Sequence, residues 1–210
     1  MILDIHTHKK APYPEGVISL REIVEVPDGN QLYSIGIHPW DTAEVISEET
    51  FKKLDEIALN PNIVAIGEAG IDPGKGAPMY RQLQIFRRQV EISESRGKPL
   101  IIHSVKSADI ILGLKRDLNP KQKWIIHGFR GKPQLASQLT EKGIMLSFGG
   151  KFNPDTVAAM PGNMLFAETD ESDLSIHEII HMLGEAAQRD LQDEIRQNVE
   201  ALFRLPSNFS

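Results

Sequence analysis

Five times along this chain a short apolar run stops at one polar residue able to ligate a metal ion. The runs occupy residues 2–6, 63–68, 100–103, 124–127 and 165–170, and their last residues are His6, Glu68, His103, His127 and Asp170. They are rich in Ile, Val and Leu without strict alternation, as expected of strands buried on both faces of a parallel sheet. Helical patterns separate them. Ser47 caps a stretch with Phe51, Leu54, Ile57 and Ala58 at helical spacing, residues 79–96 place Leu83, Phe86, Val90 and Ile92 inward, and Gly97 follows as a C-cap. Strand and helix in alternation predict parallel strands covered by helices. About eight strands can be counted. An open doubly wound sheet gathers its ligands at one switch point, whereas here polar groups end many strands, so a closed (β/α)8 barrel is expected.

The expected barrel is a pared-down one. The sequence has 210 residues, against about 250 for a typical barrel and about 200 for a small one, and is read as a single domain over 1–210. Residues 9–16 (KKAPYPEG) form a turn-rich loop too short for a helical crossover, so the first crossover helix should be missing. Residues 17–26 read as a strand, 27–30 as a turn, 33–37 as a third strand, 63–67 as a strand ending before Glu68, and 175–205 as helical.

His8 follows His6 by two residues, and residues two apart on an extended strand share a face. Together His6, His8, Glu68, His103, His127 and Asp170 supply four imidazoles and two carboxylates, more than one tetrahedral ion needs. They suit two divalent ions about 3.5–4 Å apart. His6, His8 and Asp170 are assigned to one ion, His103 and His127 to the other, and Glu68 bridges both. Imidazole donors favour Zn or Mn, with Mg the more oxygen-seeking alternative. The expected chemistry is hydrolysis by metal-bound hydroxide, Asp170 taking the water's proton and returning it to the leaving oxygen. Glu68 and Asp170 are thus the catalytic candidates.

A net charge of −6 argues against an extended nucleic-acid-binding surface, though not against an enzyme that grips one phosphate through metal ions. The absence of cysteine excludes disulfides, zinc ribbons and thiol chemistry. With no apolar run long enough to span a bilayer and no recognisable export signal, a cytoplasmic location without membrane association is expected, as is a monomer.

From Leu3 to Phe203 the chain resembles the TatD family of metal-dependent hydrolases, in the amidohydrolase superfamily. The matching motifs are residues 4–8 (DIHTH), 36–39 (GIHP), 67–72 (GEAGID), 101–104 (IIHS), 127–131 (HGFRG) and 168–170 (ETD). The resemblance implies a distorted TIM barrel of the metallo-dependent hydrolase type, a two-metal site on the same six residues, and Mg- or Mn-supported deoxyribonuclease activity. The surround departs from the family pattern. Pro73 replaces an aromatic residue, Val105-Lys106 stand where an Arg is usual, Gly128 and Arg130 interrupt a His-Cys-Phe-Ser-Gly motif, and Glu171-Ser172-Asp173 take the place of a Pro. A phosphoester substrate, with single-stranded DNA ends as the family's example, is expected to meet His38, Lys106, Arg130 and Lys151.

Two other readings compete. Residues 177–181 (HEIIH) match the zinc-protease helix motif, but no His follows to complete the site. The altered surround also suits a barrel that binds metal without turnover, as a scaffold or binding protein.

Overall fold

The apolar runs form strands, and the strands close on themselves. The computed structural model describes residues 1–23, 26, 29–203 and 205–206. Its strands are β1 (Asp4–Thr7), β2 (Gly16–Leu20), β3 (Leu32–Ile35), β4 (Ile63–Ile71), β5 (Leu100–Ser104), β6 (Trp124–Ile126), β7 (Ile144–Phe148) and β8 (Leu165–Ala167). All neighbouring pairs are parallel, in sequence order, and β8 pairs with β1 through Asp4 and Ala167 to complete a closed barrel. The helices α1 (Glu48–Ile57), α2 (Met79–Arg96), α3 (Ala108–Leu118), α4 (Pro133–Glu141), α5 (Pro154–Ala159), α6 (Ile176–Ala187) and α7 (Gln192–Leu202) follow β3 onward. As expected, no helix joins β1 to β2; residues 8–15 make the crossover as loop. None of the described helices is long and apolar enough to cross a membrane.

Burial explains the strand composition. Ile5, Leu32, Ile35, Ile66, Ile101, Leu146 and Leu165 are fully buried, and Phe86 of α2 meets Trp124 of β6 edge to face with ring centroids 5.5 Å apart. Ser47 caps α1 by accepting the Thr50 amide, and α2 ends where Gly97 adopts a left-handed φ of 64°.

Four expectations are corrected. β2 stops at Leu20 instead of running to residue 26, because Arg21 turns out of the sheet to pair with Asp41 at 3.1 Å. Val24 and Glu25, in the expected strand, and Pro27 and Asp28, in the expected turn, lie outside the described residues. β3 spans Leu32–Ile35, not residues 33–37, because the Ile37 backbone N–H and carbonyl pair with the Gln89 side chain, and a short 3-10 helix at Pro39–Ala43 follows, opened by Pro39 and by the His38 ring accepting the Trp40 amide. The C-terminal helical stretch is broken at Gln188, which takes φ 53°, and ends at Leu202; Leu205 lies beyond it and Arg204 is outside the described residues.

The fourth correction bears on the site. β4 does not end before Glu68 but runs through it to Ile71. Its register against β5 shifts between Ile66 and Ala69, which re-aims the intervening residues. Gly67 makes this possible: its φ is 141°, and a Cβ there would lie 2.5 Å from the Ile101 carbonyl oxygen. A Cβ on Gly70 would likewise overlap the His103 carbonyl. β4 and β5 therefore approach more closely than side chains allow, and Glu68 points into the barrel mouth from within a strand.

Candidate metal centre

Barrel closure brings the first group of donors together. The β1 and β8 ends are tied by Asp170 N–H to the His6 carbonyl (3.0 Å) and His8 N–H to the Asp170 carbonyl (3.0 Å). Below them the buried Asp4 carboxylate accepts the Thr169 hydroxyl (2.6 Å), the Thr169 amide (3.1 Å) and the His6 amide (3.2 Å). Burial pushes Asp4 up to about 7, against those donors. The seam holds His6, His8 and Asp170 side by side. His6 Nε2 lies 3.5 Å from Glu68 Oε2 and 3.8 Å from Asp170 Oδ1, and His8 Nε2 lies 3.5 and 3.7 Å from the same oxygens. Donors at about 2.1 Å from a tetrahedral ion stand about 3.4 Å apart, by the geometry of zinc sites. The four imidazole–carboxylate separations are close to that spacing.

Neither ring nitrogen of His6 has a hydrogen-bond partner, although the residue is fully buried. An orphaned imidazole is costly in a protein interior, and a cation among these donors would satisfy it. The donor set fits a divalent ion.

Glu68, 4 % exposed, faces a second group with its other oxygen. Oε1 lies 2.7 Å from His103 Nδ1, 2.8 Å from His127 Nε2 and 2.9 Å from His38 Nε2. Its two oxygens thus address different imidazole pairs, His6/His8 and His103/His127, as a bridging carboxylate would. The Oε1 distances are those of hydrogen bonds, so an ion on this side requires the rings to withdraw by about half an ångström to reach ligand spacing. Burial would raise the Glu68 carboxyl, but the imidazoles of His127, His103 and His38 hold it far below the usual carboxylate range.

His38 was expected on the substrate side, and the structure places it in the cage. Its Nδ1 accepts the Trp40 amide (3.1 Å) and faces the Arg21 guanidinium (3.4 Å). Two donors on Nδ1 leave Nε2 as the protonated nitrogen, so His38 donates to Glu68. Burial lowers its pKa, in keeping with a neutral ring. On the far side of His127, the fully buried Glu168 lies 3.3 Å from Nδ1. This carboxylate–histidine contact directs Nε2 toward the centre. Burial would lower His127, but Glu68 and Glu168 together raise it well above the ordinary histidine value.

The remaining expected residues lie on two clefts beside the cage. Lys106 and Arg130 line one of about 430 Å³ with His103, Ser104, Phe129, His127 and Asp170. Lys151 lines a second, of about 410 Å³, with Arg130, Glu171 and Asp173. The pair from the HEIIH match is elsewhere: His177 Nε2 contacts Glu15 at 2.9 Å on an exposed face of α6, and the exposed His181 faces Glu185 at 3.8 Å. All the metal-competent groups found among the described residues draw on His6, His8, His38, Glu68, His103, His127 and Asp170.

Sequence reasoning missed the supporting roles of Asp4, Glu168, Thr169 and Trp40. Asp4 and Glu168 carried a signal: each stands two residues before a proposed ligand, His6 and Asp170, on an element entering the same end of the barrel.

Fold and donors together define a metal-binding α/β barrel with its site at the C-terminal ends of the strands. The chain belongs to the TatD-related DNase family, whose family model matches residues 14–204. It is similar to the uncharacterized metal-dependent hydrolases YabD of Bacillus subtilis (30 % identical over 69 % of this chain) and TatD of Mycobacterium tuberculosis (27 % over 69 %). Those matches span 60 % and 59 % of the two relatives' own lengths. In three dimensions it superposes on the TatD homologue YjjV of Escherichia coli with a TM-score of 0.77 at 18 % identity, covering 98 % of both chains. A TatD-family hydrolase of Entamoeba histolytica gives 0.78 at 16 % identity with the same coverage. These structural likenesses concern the fold.

Proposed function

We propose that this protein is a divalent-metal-dependent phosphoester hydrolase acting on single-stranded DNA ends. The observation that carries the reading is the meeting of the His6 and His8 imidazoles with the Glu68 and Asp170 carboxylates at 3.5–3.8 Å, beside a cleft lined by Lys106 and Arg130. The description of the matched family, a TatD-related DNase, supports DNA as the substrate.

His6, His8 and Asp170 would hold one ion, His103 and His127 a second, with Glu68 shared. Two such ions bring a water's pKa toward neutrality and neutralise phosphoryl oxygens. The protein's own part is positioning and proton transfer. Asp170, partly exposed at the cage's open side, accepts the attacking water's proton and returns it to the leaving oxygen. His38 donates an Nε2–H hydrogen bond to Glu68 Oε1 and keeps that carboxylate turned to both imidazole pairs. Glu168 fixes His127. Lys106 and Arg130 line the cleft and would clamp a phosphate there.

Glu171 and Asp173 on the adjoining cleft, and the net charge of −6, disfavour a long polyanion and support a short end. The test is to load purified protein with Mn, Mg or Zn and offer end-labelled single-stranded DNA, phosphomonoesters and amides. Phosphodiester cleavage without amide hydrolysis is expected. A full metal load with no turnover on any phosphoester would refute the reading in favour of a binding barrel.

A further inference from the structure

One large aromatic side chain stands exposed at the rim of this centre and has no part in the proposed mechanism. Trp40 is 38 % exposed, in the 3-10 helix that follows β3. Its ring lies edge-on to His38 (centroids 4.9 Å apart) and His103 (5.7 Å), so it forms a wall of the cage mouth. It is held in place: its indole N–H donates to Asp72 Oδ2 at 2.7 Å, and that oxygen is 3.7 Å from His103 Nε2. A second tie joins the rim to the β4–α2 loop. Thr42 donates to the Pro39 carbonyl (2.5 Å) and accepts the Ala77 amide (3.0 Å).

That loop carries Lys75, whose ammonium sits 3.4 Å from the centroid of the Trp40 ring. Lys75 makes no ion pair among the described residues; the indole face is its recorded partner. Arg21 lies 5.6 Å from the same ring while its guanidinium pairs with Asp41. A rigid, half-open indole flanked by two cations, beside a centre read as phosphoryl-binding, has the composition of a single-strand nucleic-acid subsite. There, bases stack on aromatic faces and cations track the backbone. A phosphate arriving next to the centre would draw the long, flexible Lys75 side chain off the indole and open that face to a base.

We propose that Trp40 is a stacking platform for the nucleobase next to the reacting phosphoester, with Lys75 and Arg21 serving the adjoining phosphate. The platform gives the single-stranded DNA end proposed above a base contact that a sugar phosphate or other simple phosphoester cannot make. This rests on the phosphoester reading above and narrows it.

The test uses two probes, dAMP and 2-deoxyribose 5-phosphate, which share the sugar phosphate and differ by the base. Each is titrated by calorimetry into zinc-loaded wild type, Trp40→Phe and Trp40→Ala, with tryptophan fluorescence followed in the wild type. The only other tryptophan, Trp124, is fully buried. The nucleotide should bind more tightly than the sugar phosphate and quench Trp40 emission. Trp40→Ala should weaken dAMP by about 5- to 150-fold, the range for losing one base–aromatic stack, and leave the sugar phosphate unchanged. Trp40→Phe should keep most of the preference, because it retains the ring and loses only the bond to Asp72. If both probes bind the wild type equally, or Trp40→Ala weakens both alike, the platform is wrong while the phosphoester reading survives. If neither probe binds, the phosphoester reading fails and the platform goes with it.

Discussion

Replacing Glu68 with Gln preserves shape and removes one charge at a position 4 % exposed. Oε2 lies 3.5 Å from the Nε2 atoms of both His6 and His8, and Oε1 faces His38, His103 and His127 at 2.7–2.9 Å. Loss of a group that merely orients a ligand costs about 10- to 100-fold in metal affinity, so losing a bridging ligand should cost at least about 100-fold. An ion binding only the folded state stabilises it by RT ln(1 + [L]/Kd), about 4 kcal/mol at 1,000 times Kd. In a protein of this size each kcal/mol moves Tm by about 2–4 °C. Wild type should then gain about 8–16 °C on saturation with zinc. At the same free zinc a 100-fold weaker variant retains about 1.4 kcal/mol, a gain of about 3–6 °C. Calorimetric melting of both proteins, with and without zinc, reads the difference, and metal analysis after gel filtration checks it independently. An equal zinc-induced shift and equal metal content in Glu68→Gln would show that this carboxylate is not a ligand.

Two further outcomes are expected. Replacing both His177 and His181 with Ala should leave metal content and the zinc-induced shift unchanged, since both side chains are exposed on α6, facing Glu15 and Glu185; loss of metal on elemental analysis would restore the HEIIH reading. Burial, with the Arg96 charge adding to it, pushes Lys98 down from its ordinary 10.5 to about 8 where it donates to the Ala58 and Asn60 carbonyls. Between pH 8 and 10.5 the unfolded chain therefore binds more protons at this site than the folded one, and stability from this group rises with pH. In urea titrations wild type should gain on Lys98→Met between pH 7.5 and pH 9.5, as the ~8-to-10.5 window requires, and parallel pH profiles of the two would contradict it.

Much of the barrel was legible because its signals are local. α2 spans the expected 79–96, bounded by Pro78 and the left-handed Gly97. The apolar runs before His103, His127 and Asp170 are β5, β6 and β8, and the loop at 8–15 could hold no helix. What failed was decided by partners elsewhere in the chain. β-branched residues favoured continuing β2 past Leu20, but Arg21 leaves the sheet for Asp41, twenty residues on. An apolar-run rule ends β4 before Glu68, yet β4 continues because Gly67 and Gly70 let it lie against β5 through a shifted register.

The same division separates the proposed ligands from the groups that orient them. A ligand at a strand end is visible in sequence, since period-two geometry and the end of an apolar run fix its direction. An orienting group is visible only once the sheet has closed. Asp4 reaches Thr169 because β1 is the neighbour of β8, a fact no window of sequence contains. Glu168 meets His127 across β7, and His38 meets Glu68 from the end of the adjacent strand. His38 shows what this does to a functional assignment. From its position it was one more polar residue at the mouth, fit for a substrate phosphate. The Trp40 amide occupies its Nδ1, so Nε2 donates, and the oxygen it reaches is Glu68 Oε1. Its role follows from a backbone N–H two residues away and a carboxylate thirty residues away acting together, and neither alone would have assigned it.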